Sequence, residues 1–206
     1  MSKAMKLLQQ KCGCKADGSF GPNTARGIVS HYQLTPEEGA HLLGQAAHES
    51  GNFKYVRENL NYSVKALMAT WPSRFPDAES AKPYARNPKA LAENVYFGRM
   101  GNDTKERAGL YVGRGFIQLT GYKNHRGFAS DLGLPQVLTD PSLLETDYAF
   151  DAALWFFKTN NLFEMAREGV TDEVIKRITR RVNGGYKGLD DRTFQTHKIY
   201  GWLSNV

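Results

Sequence analysis

The chain is 206 residues long, with 41% hydrophobic and 12% aromatic residues, enough for a self-sufficient core and too much for a disordered chain. Lys and Arg number 27 against 21 Asp and Glu, a net charge of +6 that fits either a mildly basic soluble protein or a polyanionic partner such as a bacterial envelope. No apolar run approaches the roughly 18 residues of a membrane span, so no stable membrane association is expected.

The first residues, Met-Ser-Lys-Ala-Met-Lys, carry charge but no apolar signal-type stretch, so no secretory leader is read and synthesis in a cytoplasm is expected. Residues 1–30 form a separate N-terminal segment in this reading. Its run Asp17-Gly18-Ser19-Phe20-Gly21-Pro22-Asn23-Thr24 resembles the D-G-x-F-G-x-x-T signature of small helical peptidoglycan-binding modules, of which it would be a remnant. The alternative is a turn followed by a helix capped at Asn23 or Thr24. Cys12 and Cys14 are too closely spaced for an unstrained disulfide and too few for a zinc site, and are read as reduced. Thr35-Pro36-Glu37-Glu38 is a capping box with proline at the first helical position. It opens a helix through Ala40, Leu43, Ala46 and Ala47 that Gly51 stops. Asn87-Pro88 opens another, with Leu91, Ala92 and Val95 facing inward. The stretch from Phe97 to Gly115 holds five glycines and reads as a long loop. Only residues 111–120 (YVGRGFIQLT) have a β-like flavour, and Gly113 and Gly115 spoil a regular strand. Asp140-Pro141 opens a further segment, and Tyr148 to Phe157 reads as a central, buried helix. Thr171 begins a helix with Val174, Ile175, Ile178 and Val182 on one stripe, ended by Gly184-Gly185. The fold class is mainly α.

Chemistry gathers in Ala47-His48-Glu49-Ser50-Gly51. A carboxylate at a helix C-terminus meets the negative end of the helix dipole, which favours the protonated form that a general acid needs. An ordinary exposed glutamate is the plain alternative. Glu58 lies nine residues on. On one continuous helix the two acids would face opposite ways, but Gly51-Asn52 breaks the helix, so the chain can fold back and set them across a groove. Two carboxylates flanking a cleft are what glycosidic hydrolysis requires. A metalloprotease H-E-x-x-H pattern would need a histidine at position 52, which is Asn52, and His41 finds no third ligand, so neither metal nor cofactor is expected. There is no G-x-S-x-G elbow and no phosphate-binding loop. The basic residues of 176–181 are read as a solvated face, so no nucleic-acid partner is expected.

Four segments occur in a telling order: AHESG (47–51), ENLNYS (58–63), YVGRGFIQLTGYKN (111–124), and VNGG with a following DDR (182–185, 190–192). With them the chain resembles glycoside hydrolase family 19, and within it the phage endolysins, whose two acids are separated by a shorter stretch than in plant chitinases. The resemblance implies a lysozyme-like, two-lobed helical domain over residues 31–206 with a substrate groove between lobes. It implies Glu49 as general acid, Glu58 as general base and Thr120 as a hydroxyl helping to hold the attacking water. His48, Tyr111, Gln118 and Asn124 would line the sugar groove. Asn183 and Arg192 would bind substrate and steady the base, keeping Glu58 ionised while Glu49 stays protonated. Lys123 stands where many chitinases have an aromatic residue. Inversion is implied, with a carboxylate gap of about 6.5–9.5 Å. The expected function is cofactor-free hydrolysis, by a monomer, of the β-1,4 bond between N-acetylmuramic acid and N-acetylglucosamine in peptidoglycan, causing host lysis. The protein would wait in the host cytoplasm and reach the wall after a holin opens the inner membrane. Rivals are a chitinase, for which secretion would be expected, a non-catalytic cell-wall-binding protein, and a nucleic-acid binder.

Overall fold

A computed structural model describes residues 2–204. In chain order the helices are α1 (Lys3–Lys11), α2 (Pro22–His31), α3 (Pro36–Glu49), α4 (Val64–Thr70), α5 (Ala78–Ala81), α6 (Pro88–Tyr96), α7 (Lys105–Leu110), α8 (Tyr122–Leu132), α9 (Gln136–Thr139), α10 (Asp151–Thr159), α11 (Leu162–Ala166), α12 (Asp172–Asn183) and α13 (Leu189–Ser204). No extended strand forms among the described residues, and no helix among them is long and apolar enough to cross a membrane.

Local chemistry sets most boundaries. Thr35 accepts from the Glu38 N–H while Glu38 reaches back to the Thr35 N–H at 2.9 Å, so the capping box opens α3 as read. Asn87 caps α6, Thr171 caps α12, and Gly184 closes α12 at φ 74°. Three expectations need correction. The helix expected to be capped at Asn23 or Thr24 starts earlier: Pro22 takes the first position of α2 and Gly21 the cap. The stretch 97–115 is not one long loop, because Thr104 caps the short helix α7 and buries Ala108. The apolar run 148–157 is helical only from Asp151, and Leu154, Trp155 and Phe156 remain half-exposed.

The chain divides into two compact units. The first comprises Met1–Val56, Arg114–Gln118 and Ser142–Val206. Its core gathers Met5 and Leu8 of α1, Ile28 of α2, Leu42 and Leu43 of α3, Phe116, Phe157, Ile178, and Ile199 of α13. Helices α3 and α13 lie close enough that a Cβ at Gly44 would meet the Thr196 backbone, its Cα at 2.9 Å, so only glycine fits there. The second unit comprises Arg57–Gly113 and Leu119–Pro141, around Leu60, Leu67, Phe75, Leu91, Ala92, Val95 and Val112. The N-terminal segment therefore puts Met5, Leu8 and Ile28 into the same core as α3 and α13.

Candidate active site

In the first unit, α3 delivers His48 and Glu49 at its last two positions, and the start of α13 grips both. Arg192 is 1% exposed and donates to Glu49 Oε1 at 2.5 Å, to Gln45 Oε1 at 2.6 Å and to the Lys187 carbonyl at 3.2 Å. A guanidinium is seldom this deeply buried unless its donors are satisfied, and here three acceptors satisfy it. Beside it, His48 Nδ1 lies 2.6 Å from Asp191 Oδ2, and Gly188 packs so closely on the imidazole that a Cβ would overlap it. Burial pushes the Asp191 carboxyl up, but hydrogen bonds from His48 and Gln195 outweigh it and leave Asp191 below the ordinary range. The sequence reading gives Arg192 to the base; within the first unit the carboxylate it holds is that of Glu49, the residue read as acid.

Gln118 and Asn183 also belong to this unit. Gln118 sits at φ 57° and turns its amide back on the Gly115 carbonyl at 3.0 Å, which fixes the loop after Gly115. Asn183 is exposed as the last residue of α12, one position before the left-handed Gly184.

The second unit holds Glu58, Tyr111, Thr120 and Asn124. Both carboxylate oxygens of Glu58 accept: Oε2 from the Tyr96 hydroxyl at 2.6 Å and Oε1 from the Gly113 N–H, while the Glu58 N–H donates to the Gly113 carbonyl at 3.0 Å. The side chain is thus clamped to the G-R-G loop from one side and to the end of α6 from the other. Burial, and then the Glu58 carboxylate, push the Tyr96 hydroxyl above the ordinary tyrosine range, which keeps it a donor. Asn124 donates to the Thr120 carbonyl at 2.9 Å across the first turn of α8, and both are half-buried. Tyr111 departs from its expected role of lining a sugar groove. It is 5% exposed, its hydroxyl donates to the Leu138 carbonyl at 2.9 Å, and its ring packs on Tyr122 and His125. In this unit it is a core residue that shapes the loop beneath it.

Sequence reasoning did not single out Tyr96, Gly113, Gln45 or Asp191 as supports. Gln45 carried a signal, one helical turn before Glu49, and Asp191 lay inside the quoted DDR string. Tyr96, 38 residues from Glu58, carried none. Among the described residues, no group of three or more His, Cys, Asp or Glu side chains converges to hold a metal ion.

No protein-family profile matches the chain. The chain is 28% identical over 183 residues to an endochitinase of Arabidopsis thaliana, covering 84% of this chain and 50% of that one. Its structure superposes on chitinase C from Streptomyces griseus with a TM-score of 0.56 at 16% identity, over 98% of this chain and 92% of that one. It superposes equally on a bacterial family 19 chitinase, TM-score 0.56 at 18% identity, over 98% and 94%. These likenesses carry the fold, a mainly helical, lysozyme-like one. A glycosyl hydrolase family 19 domain-containing protein of Haemophilus influenzae is 38% identical over 155 residues, 74% of each chain. With that identity over that share of both chains, the protein belongs to glycosyl hydrolase family 19 and is a chitinase-like glycoside hydrolase.

Proposed function

We propose that the protein is an endolysin-type lysozyme that hydrolyses the β-1,4 bond between N-acetylmuramic acid and N-acetylglucosamine in bacterial peptidoglycan, with inversion. The observation that carries this reading is a pair of glutamates whose carboxylates are each held in a fixed orientation by named donors. Glu49 ends a helix against a buried arginine, and Glu58 has a donor on each oxygen. In this mechanism Glu49 gives its proton to the leaving glycosidic oxygen, and Arg192 holds the carboxylate that remains. Glu58, whose orientation is fixed by Tyr96 and Gly113, takes a proton from the attacking water, which the Thr120 hydroxyl helps to hold. His48, Gln118, Asn124 and Asn183 contact the glycan. The short stretch between the acids is like that of the endolysin branch, and the net charge of +6 favours an anionic envelope as target. A phage product held in the host cytoplasm until a holin opens the membrane fits this substrate.

A second reading, a chitinase cutting N-acetylglucosamine polymers, is favoured by the chitinases among the similar proteins. One experiment separates the two. Purified Gram-negative peptidoglycan is incubated with the wild type and with Glu49→Gln, and the released fragments are identified by mass spectrometry. Products with reducing-end muramic acid from the wild type alone are expected. Silence on peptidoglycan with cleavage of chitin oligomers gives the chitinase. Silence on both substrates leaves a binding protein.

A further inference from the structure

Leaving α3, the chain makes a turn that local preference opposes. Gly51, Asn52 and Phe53 have φ of 57°, 60° and 62°, three consecutive left-handed residues of which the last is a bulky aromatic. Left-handed backbone costs a residue with a Cβ about 1–2 kcal/mol, so such a turn persists only where contacts over-determine it. Here they do. Ser50 Oγ donates to the Ala46 carbonyl at 2.5 Å and accepts from the Phe53 N–H at 2.8 Å. The Asn52 N–H reaches back to the Ala47 carbonyl at 2.6 Å, and the Lys54 and Tyr55 N–H groups both donate to the Ser50 carbonyl. Phe53, 2% exposed, is seated with its ring centroid 4.3 Å from that of Phe20 and 5.1 Å from that of Phe116.

What this turn presents is Tyr55. At 66% exposure it is the most exposed of the large hydrophobic side chains among the described residues. Its ring lies against Gly51, where a Cβ would come 2.9 Å from Cδ2, so the bare glycine, two positions after Glu49, forms the floor beneath it. A single exposed aromatic is ordinary. One carried on a turn whose N–H groups are all bonded, directly after the candidate acid, is not, because the backbone that presents it is fixed beside that acid. A pyranose has an apolar face of C–H groups, and tyrosine offers a flat ring with few rotors and a hydroxyl at its rim. We propose that Tyr55 is a saccharide platform that stacks on an N-acetylhexosamine ring of a β-1,4-linked amino-sugar chain. The proposal rests on the reading of Glu49 as the acid, which decides that a sugar passes there.

The test measures KM and kcat of the wild type, Tyr55→Ala and Tyr55→Phe on peptide-free glycan strands and on N-acetylglucosamine hexamer. Alongside it, both ligands are titrated calorimetrically into Glu49→Gln and Glu49→Gln/Tyr55→Ala. Tyr55→Ala is expected to raise KM and to weaken binding about tenfold, the usual size for truncating an aromatic anchor. Tyr55→Phe is expected to stay within about twofold of wild type, and the melting temperature to stay put for so exposed a residue. Equal KM and equal affinity with and without the Tyr55 ring overturn the platform, as does the absence of binding by either protein. Turnover by Glu49→Gln would overturn the acid assignment instead, while the titrations would still report on Tyr55 alone.

Discussion

Tyr96 reaches Glu58 Oε2 from the end of α6 with a hydroxyl that burial and the carboxylate hold in its protonated form. Among the described residues the other donor to that carboxylate is the Gly113 N–H, so half of its positioning rests on one phenol. A hydrogen bond to a charged group contributes about 1.5–3 kcal/mol. Tyr96→Phe is therefore expected to lower kcat about tenfold or more, with KM near wild type, since the ring still packs while the donor is gone. Unchanged kcat would show that Gly113 alone orients Glu58. This residue also marks where reading a sequence stops. Glu49 and Glu58 stand in short strings whose order could be read directly. The partner of Arg192 could not, because a guanidinium 143 residues from Glu49 can serve either carboxylate until the fold places it. Tyr111 looked like a groove residue for the same reason: the acceptor for its hydroxyl, Leu138, lies 27 residues away.

Elements whose ends are written in neighbouring residues were legible. The reciprocal bonds of Thr35 and Glu38, the Asn87 cap and the left-handed Gly184 each lie within a few residues of the helix they bound. Helix α7 was hidden because glycines at 98, 101, 109, 113 and 115 dominate its surroundings, whereas its real determinants are the Thr104 cap and the Asp103–Arg107 ion pair at 2.6 Å. The joint between α3 and α13 belongs to this scale too, and it is titratable. Asp191 is held below the ordinary carboxyl value, with His48 and Gln195 outweighing burial. A carboxyl lowered in the folded state stabilises above its unfolded value, about pH 4, and loses that contribution as pH falls through the folded one. Thermal melts between pH 6 and pH 3 are accordingly expected to fall more steeply for the wild type than for Asp191→Asn. The Asp191 side chain is 50% exposed, so screening limits the difference at neutral pH to about 0.5 kcal/mol. Parallel melting curves would show that the joint is held by the buried Arg192 alone.

For the whole molecule, the first 30 residues decide whether the catalytic machinery can stand without them. Gln9, fully buried, donates to Asp17 Oδ1, to the Ser19 carbonyl and to Thr24 Oγ1, and accepts from the Gly18 N–H at 2.7 Å. That single amide folds the D-G-S-F-G run against α1, and the run in turn places Phe20 against Phe53 and Trp202. Arg26 donates to the Trp202 carbonyl at 3.0 Å, and Met5 and Ile28 are wholly buried in the core that also holds Leu42, Leu43 and Ile199. The segment thus supports the turn after Glu49 as well as the end of α13. Met5→Ala is expected to cost about 2–5 kcal/mol, the range for emptying a buried site of that size. A fragment of residues 31–206 loses Phe20, Ile28 and all of α1 together, far more than the 5–15 kcal/mol that holds a domain folded can absorb. Denaturation followed by circular dichroism is the measurement: the fragment is expected to lack a cooperative transition, with no activity on peptidoglycan or chitin oligomers. A fragment that melts cooperatively near the full chain's temperature and turns over substrate would instead make residues 1–30 a separable appendage, and the shared core around Met5 and Ile28 would be dispensable.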